Sequence, residues 1–191
     1  MHLQGQRQLA SRPSARASSG RCDRALIAES LHHPAVFAEL FERHWPALHA
    51  FCTSRTGAVG EDLAAETFRR AFDARARYDL RYEDARPWLY GIATNLIRHH
   101  FRTVQRRGRA EGRSAARDTP APEELAGSLE RHQLGAALTE ALGELPAADR
   151  DALLLFAWAE LDYSEVARAM RVPVGTVRSR LHRARSRVRH T

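Results

Sequence analysis

The chain ends in a stretch dense in arginine, because residues 171–189 hold seven arginines and no acidic residue. A guanidinium group carries a permanent positive charge and a planar fork of donors that matches phosphate oxygens and the edge of guanine. A cluster of such groups indicates a site that binds an anion, and it does not by itself indicate catalysis. The net charge of +7 and the isoelectric point near 10.5 agree with a polyanionic partner.

Three further residues could ligate a metal: His44, His49 and Cys52. Offsets of five and eight residues spread them over about 140° of a helix, so they do not converge on one ion. Cys52 also falls on an apolar stripe, which favours a packed thiol. The chain contains no lysine, and this excludes a Walker P-loop and Schiff-base chemistry. We therefore expect no metal, no cofactor, no small-molecule substrate and no catalytic activity.

The terminal arginines need a helix to position them. Val177, Leu181, Ala184 and Val188 share one narrow stripe of a helix, which must be buried, and the arginines occupy the other sides. Small apolar residues suit packing against a neighbouring helix, whereas a membrane-surface helix would carry bulkier ones.

The preceding residues supply that neighbouring helix. Asp162 and Glu165 have the spacing of a capping box at a helix start. Pro173 suits the first turn of the next helix, where a missing N–H costs nothing. Two helices joined by a short turn, the second of them basic, predict a helix-turn-helix. The alternative is a solvated arginine face on an ordinary surface helix, which would normally mix charges of both signs.

The first half of the chain shows the same helical periodicity. One or two helices are expected from Pro34, with Pro46 as a possible bend, and another that Pro87 opens. Residues 73–85 show no period and are predicted to be a loop. The expected buried positions are Phe37, Leu40, Phe41, Leu48, Phe51, Cys52, Ala64, Phe68, Ala71, Phe72, Leu89, Ile92, Ala93 and Leu96.

No β-strand pattern competes, so the predicted fold is all-α, with two small helical domains joined by a flexible linker. We expect a disordered N-terminal tail over 1–24, domains over 25–107 and 133–191, and the linker over 108–132. Two cysteines do not make a disulfide framework, and neither a signal peptide nor a transmembrane run is found. Cytosol is the expected compartment.

Three motifs together resemble one family. The segments "DLAAETFRRAF", "PWLYGIATNLIRHHFR" and "LGELPAADRDALLLFAWAELDYSEVARAMRVPVGTVRSRLHRAR" are similar to the extracytoplasmic-function sigma factors, two-domain subunits that give bacterial RNA polymerase its promoter specificity. The resemblance covers residues 34–107 and 133–189. It implies that the first domain is sigma region two, that the second is sigma region four, and that the linker threads toward the channels of the polymerase.

For the first domain, the resemblance implies two surfaces. One grips the polymerase clamp and comprises Asp62, Leu63, Glu66 and Phe68, although Phe68 could instead belong only to the core. The other opens the minus-ten element, holds an extruded base by stacking and follows the DNA backbone. Trp88 could instead pack in the core. This second surface comprises Tyr78, Tyr82, Arg86, Trp88, Tyr90, Asn95, Arg98, His99 and Arg102.

For the second domain, the resemblance implies that the basic helix enters the major groove of the minus-thirty-five element. Near its N-terminus, Thr176, Arg178, Ser179 and Arg180 are expected to reach base edges or adjacent phosphates. Arg183 and Arg187 are expected to contact phosphates only. The implied partners are core RNA polymerase, through the clamp of the beta-prime subunit and the beta flap, promoter DNA and an anti-sigma factor. The implied DNA contacts are Thr176, Arg178, Ser179, Arg180, His182, Arg183 and Arg187.

Two positions depart from the family pattern, since the family usually has Gln where this chain has Ala65 and Asp where it has His99. The first bears on a clamp contact and the second on minus-ten preference.

A helix-turn-helix alone also fits a DNA-binding regulator that acts without polymerase. Such regulators normally carry a dimerisation or ligand domain, and nothing in the sequence plainly supplies one.

Overall fold

A computed structural model describes residues 21–110 and 141–189. Within these ranges the chain forms α-helices and short 3-10 turns and contains no strand, so the all-α prediction is confirmed. Residues 141–144 are helical as well. The principal helices are α1 (Asp23–Ser30), α2 (Phe37–Thr56), α3 (Gly60–Ala74), α4 (Arg86–Ala110), α5 (Ala147–Ala157), α6 (Tyr163–Met170) and α7 (Val174–Val188).

Helices α1 to α4 form the first bundle, in which α2 packs against α1, α3 and α4. Helix α2 continues without a break through Pro46, which is exposed. The possible bend at Pro46 therefore does not divide α2 into two helices. Gly60 lies so close to α2 that an added Cβ would be 2.3 Å from Cα of Thr53. Most of the predicted apolar positions are buried, but Phe41 remains 37% exposed.

Helix α1 was not predicted, and its first two residues fall at the end of the segment predicted to be a disordered tail, residues 1–24. The helix begins at Asp23, whose buried carboxylate accepts hydrogen bonds from Arg43 and from the backbone N–H of Ala85. Arg43 and Ala85 are 20 and 62 residues from Asp23 in the chain, so no local sequence pattern indicates these contacts. Residues 1–20 of the predicted tail lie outside the described residues, as does most of the predicted linker.

Helices α5, α6 and α7 form the second bundle. The capping box is present in full: the Asp162 carboxylate accepts from the Glu165 backbone N–H, and the Glu165 carboxylate accepts from the Asp162 backbone N–H, both at 2.8 Å. Pro173 is the N-cap residue of α7. Val177, Leu181 and Ala184 are fully buried or nearly so, which confirms the predicted docking stripe of the basic helix.

The two bundles pack against each other through α4 and α6. One apolar core runs through both, from Leu26 in α1 to Leu181 in α7. A smaller cluster forms where Leu142 and Leu145 meet Ala184. Within the described ranges, no helix combines the length and the apolar character that crossing a membrane requires.

Candidate nucleic-acid and polymerase interfaces

The basic helix α7 presents its arginines on the sides that its apolar stripe leaves uncovered. Arg178, His182 and Arg187 are exposed, and Arg180 is half-buried beside Met170. Ser179 is exposed and donates to the carbonyl oxygen of Gly175. The helix therefore offers positive charge and hydrogen-bond donors along the sides that its buried stripe leaves exposed.

Arg183 does not extend freely from this surface. Its Nε and Nη2 atoms donate to the two carboxylate oxygens of Asp149, at 2.9 and 2.8 Å. Asp149 is buried, and its hydrogen bonds raise the pKa of Arg183. The Arg183 side chain is still about half exposed. Arg183 thus ties α7 to α5 while it keeps one side toward solvent.

A groove beside α7 was not anticipated from the sequence. Arg185 lies with its guanidinium carbon 4.8 Å from the ring centre of Phe156 and donates to the hydroxyl of Tyr163. Both apolar and cationic side chains line the groove. Its lining residues are Leu153, Tyr163, Arg178, His182, Arg185, Val188 and Arg189.

The loop before α4 is held by aromatic packing. The rings of Tyr78 and Trp88 lie 4.9 Å apart, and the Tyr78 hydroxyl is within hydrogen-bond distance of the carbonyl oxygens of Tyr82 and Asp84. Burial raises the pKa of Tyr78 above its ordinary value. Tyr78 and Trp88 are both half-buried, so the pair supports the loop and still reaches the surface.

Tyr90 is placed differently from its predicted neighbours. Its ring is 5% exposed and packs edge-on against Phe51 at 4.9 Å, and burial raises its pKa to about 12. In this arrangement it belongs to the core and offers no face to a base. Nε of Arg86, the first residue of α4, donates a hydrogen bond to the carboxylate of Asp84. Other predicted residues on the same helix are exposed, namely Asn95, His99 and Arg102.

Arg98 takes part in an ion cluster that joins the two bundles. Its Nε donates to one oxygen of Asp151, and Nη2 of Arg55 donates to the other oxygen. The Asp151 side chain is 1% exposed and that of Arg55 is 4% exposed, whereas Arg98 keeps 26% of its side chain in solvent. Arg55 and Asp151 are 96 residues apart, so no local sequence pattern indicates this contact.

The predicted polymerase-binding residues lie on α3. Asp62 is exposed, Leu63 and Glu66 are half-buried, and Phe68 is buried. Arg69 and Arg70 both donate hydrogen bonds to the Glu66 carboxylate. These bonds, with those from Arg69 having the larger effect, lower the pKa of Glu66 to about 2.

An aromatic cluster adjoins the buried Phe68. The ring of Phe41 stacks on Trp45 at 4.9 Å and meets Phe68 at 4.8 Å. Phe41 is exposed and Trp45 is half-buried, so an apolar patch on α2 continues the α3 surface. The helical period predicts that Phe41 is buried, and its exposure shows that this prediction is wrong.

The residues weighed as metal ligands are each engaged elsewhere. Nε2 of His44 lies 2.7 Å from the Asp23 carboxylate, His49 stacks on Trp45, and burial raises the pKa of Cys52 to about 12. Within the described ranges no group of three or more histidine, cysteine or acidic residues has the arrangement of a metal site.

Two family models match the chain in the order that the motifs implied. "Sigma-70 region 2" matches residues 40–107, and "Sigma-70, region 4" matches residues 135–188. The first range contains α3 and most of α4, with the predicted clamp and minus-ten residues. The second contains α5, α6 and α7, with the helix-turn-helix.

Curated relatives carry the same description. The ECF RNA polymerase sigma factor SigC of Mycobacterium tuberculosis is 38% identical over 129 residues, which are 65% of this chain and 65% of that protein. The RNA polymerase sigma-H factor of Pseudomonas aeruginosa is 34% identical over 67% of this chain and 70% of its own length. CarQ of Myxococcus xanthus, an RNA polymerase sigma factor, is 32% identical over 81% of this chain and 87% of its own length. At 65% coverage of SigC, the chain spans just under two thirds of the length of that relative.

Solved structures share the fold. CnrH, in complex with the cytosolic domain of CnrY, matches with a TM-score of 0.65 and 25% identity, over 88% of this chain and 95% of that chain. RpoE of Bartonella quintana, in complex with the anti-sigma factor NepR, matches with a TM-score of 0.59 and 26% identity, over 81% and 94%. The chain belongs to the sigma-70 family of RNA polymerase sigma factors, in its extracytoplasmic-function group.

Proposed function

We propose that this chain binds core RNA polymerase and directs it to promoters, recognising a minus-thirty-five element with α7 and a minus-ten element with α4 and the loop before it. The observation that carries this proposal is the presence, in one chain, of both sigma regions, each ending in a basic helix. A regulator that acts without polymerase has no need of region two. We assign this function to two domains, one over 25–107 that α1 extends back to Asp23, and one over 133–191, joined by 108–132.

Recognition of the minus-thirty-five element is assigned to α7. A recognition helix reads base edges with its N-terminal residues and meets phosphates farther along. Thr176, Arg178, Ser179 and Arg180 occupy the first turns and are assigned to bases or adjacent phosphates. His182, Arg183 and Arg187 follow and are assigned to the backbone, with Arg183 exchanging Asp149 for a phosphate when DNA is present.

Opening of the minus-ten element is assigned to the Tyr78–Trp88 pair, to Tyr82 and to the basic face of α4. Base stacking on an aromatic ring contributes about 1 to 3 kcal/mol per base, which offsets the cost of extruding it. Asn95, His99 and Arg102 are exposed along α4 and continue the path of the strand. Melting is thus driven by binding energy, and the phosphodiester chemistry belongs to the polymerase. The chain needs no cofactor.

The polymerase is assigned to the α3 surface, with the clamp of the beta-prime subunit as the partner for Asp62, Leu63 and Glu66. Phe68 supports the surface from below by holding the Phe41–Trp45 stack. Region four is assigned to the beta flap. Since a similar structure contains an anti-sigma factor, an anti-sigma protein is proposed as a further partner of this chain, and the cytoplasm as the compartment where it acts.

Core binding is tested by co-elution of the full chain with sigma-free core polymerase in size-exclusion chromatography. The acidic α3 surface is proposed to meet an arginine-rich face of the clamp. Asp62→Arg reverses an exposed charge on α3 and should weaken binding by about tenfold or more, because like charges would then face each other across that interface. Glu83→Arg, an exposed charge reversal of the same size in the loop before α4, lies outside the surfaces assigned to polymerase and should leave co-elution unchanged. Absence of wild-type co-elution would refute the proposed function.

A further inference from the structure

Hydrogen bonds join the start of α1 to the end of the loop before α4, residues 78–85. The backbone N–H of Arg24 donates to the carbonyl oxygen of Glu83 at 3.2 Å, and the buried carboxylate of Asp23 accepts from the backbone N–H of Ala85 at 2.9 Å. The carbonyl oxygen of Ala85 accepts a backbone hydrogen bond from the first turn of α4. Two consecutive residues of α1 therefore fix the point at which the loop passes into α4.

The other end of α1 contacts the segment that leads into the same loop. Nε of Arg75, in the 3-10 turn that follows α3, donates to the carbonyl oxygen of Ser30 at 3.4 Å. The guanidinium carbon of Arg75 also lies 3.7 Å from the centre of the Phe72 ring. Leu26 and Ile27, both fully buried, anchor α1 itself in the core of the first bundle. Helix α1 therefore spans the loop from entry to exit, and the core holds it in place.

Between these two points, the loop backbone is held from two directions. The carbonyl oxygens of Tyr82 and Asp84 lie 3.0 and 3.1 Å from the hydroxyl of Tyr78, which belongs to the loop itself. The intervening carbonyl oxygen of Glu83 and the following N–H of Ala85 bond α1 instead. Without the bonds to α1, the end of the loop would be held by its own tyrosine alone.

We propose that α1 is a positioning element for opening of the minus-ten element, with Asp23 as its principal positioning residue. Asp23 is buried and touches no DNA; it fixes the backbone of the loop, so that Tyr78, Tyr82 and Trp88 meet an extruded base in one geometry. A site already held in its binding geometry avoids the entropic cost of ordering during binding. This inference rests on the proposed function, which assigns those rings to the minus-ten element.

Hydrogen exchange in the free full chain tests the positioning itself. Asp23→Asn replaces a charge-assisted bond to the Ala85 N–H with a weaker one, so the amides of residues 78–86 should exchange about tenfold faster. The matched control is Leu48→Ala, a truncation at a buried core position in α2 that also lowers stability. It should accelerate exchange across the first bundle with no excess in the loop.

Promoter opening by the holoenzyme tests the consequence for function. The probe is a promoter fragment taken from the start sites that the wild-type chain creates with core polymerase on a genomic DNA library. Permanganate reactivity of minus-ten thymines reports opening, and Asp23→Asn should lower the equilibrium constant for opening about tenfold. Co-elution with core polymerase, and binding to a duplex that carries only the minus-thirty-five element, should stay at wild-type values. Leu48→Ala should open the promoter as the wild type does.

A surface ion pair tests the same contact with no risk to the core. Arg24 and Glu83 pair at 2.9 Å, with 42% and 69% of their side chains exposed. Arg24→Glu and Glu83→Arg each place like charges together and should each reduce opening, whereas the double variant restores the pair with its signs exchanged. The double variant should open the promoter about twofold better than the two single effects combined would predict.

The inference is overturned if folded Asp23→Asn keeps wild-type exchange in the loop and wild-type opening, or if Leu48→Ala loses opening to the same extent. If Asp23→Asn does not fold, the surface pair decides, and strictly additive effects of the two charge reversals overturn the inference. Failure of the proposed function would show differently, because the wild-type chain itself would then neither bind core polymerase nor create start sites.

Discussion

The carboxylate of Asp23 lies between three segments of the first bundle. It accepts hydrogen bonds from Arg43 at 2.7 Å and from the Ala85 backbone N–H at 2.9 Å, and it lies 2.7 Å from Nε2 of His44. Burial raises the pKa of Asp23, but the hydrogen bond and charge of His44, with the other two donors, outweigh burial, so the pKa is lower than usual. The ionised form of Asp23 therefore stabilises the fold.

Asp23→Asn should lower the free energy of unfolding by about 2 kcal/mol at neutral pH, since charged hydrogen bonds to a buried group are lost. Urea unfolding followed by circular dichroism measures this. The control is Asp73→Asn, which removes an exposed pair with Arg69 and should cost about 0.5 kcal/mol or less. Equal losses in the two variants would contradict the role given to Asp23.

The same residue predicts a pH dependence. Because the folded-state pKa of Asp23 is lower than its unfolded value, its contribution is complete above the unfolded pKa, about 4, and is lost as the pH falls through the folded-state pKa. The stability difference between wild type and Asp23→Asn should therefore shrink below about pH 4. A difference that stayed constant down to the acid transition would show that Asp23 does not titrate in this way.

At the scale of the element, the helix-turn-helix depends on its capping box. Asp162→Ala should destabilise the second bundle by about 1 kcal/mol, because a backbone donor at the start of α6 loses its acceptor. Ser164→Ala, an exposed change two residues later, is the control and should have little effect. Thermal unfolding measures both. An unchanged midpoint for Asp162→Ala would mean that packing alone maintains α6.

The basic helix should divide into two functional parts. Arg187→Ala should weaken binding to all promoters by a similar factor and reduce the salt slope of binding by about one unit, as expected of a phosphate contact. Arg178→Ala should instead change sequence preference. Fluorescence anisotropy on promoter variants over a salt series measures both effects. The same sequence-dependent loss in both variants would contradict the division.

Arg183→Ala is less suited to that experiment. Its removal leaves the buried Asp149 carboxylate without its bidentate partner, so weaker DNA binding could then arise from a destabilised bundle.

The elements that could be predicted from sequence are those built on local rules. The stripe of Val177, Leu181 and Ala184 follows the helical period, and the capping box follows a spacing of three residues. Helix α1 has eight residues and relies on Asp23, whose partners are more distant in the chain. Local patterns carry no information about such partners.

At the scale of the whole molecule, the sequence predicted two domains but not how they meet. The contact depends on a glycine in the middle of α4 and on an aspartate of α5 that bonds arginines of α2 and α4. Gly91 occurs in an ordinary helical segment, and Asp151 lies among other acidic residues. Their pairing depends on the folded arrangement of both bundles, which neither segment encodes alone.

The most direct test of the proposed function is transcription. Sigma-free core polymerase would be supplied with a genomic DNA library, with and without the purified chain, and every new 5′ end would be mapped. A sigma factor should create new start sites that share two spaced upstream motifs. If the chain bound DNA but neither bound polymerase nor created any start site, a regulator that acts without polymerase would replace the function proposed here.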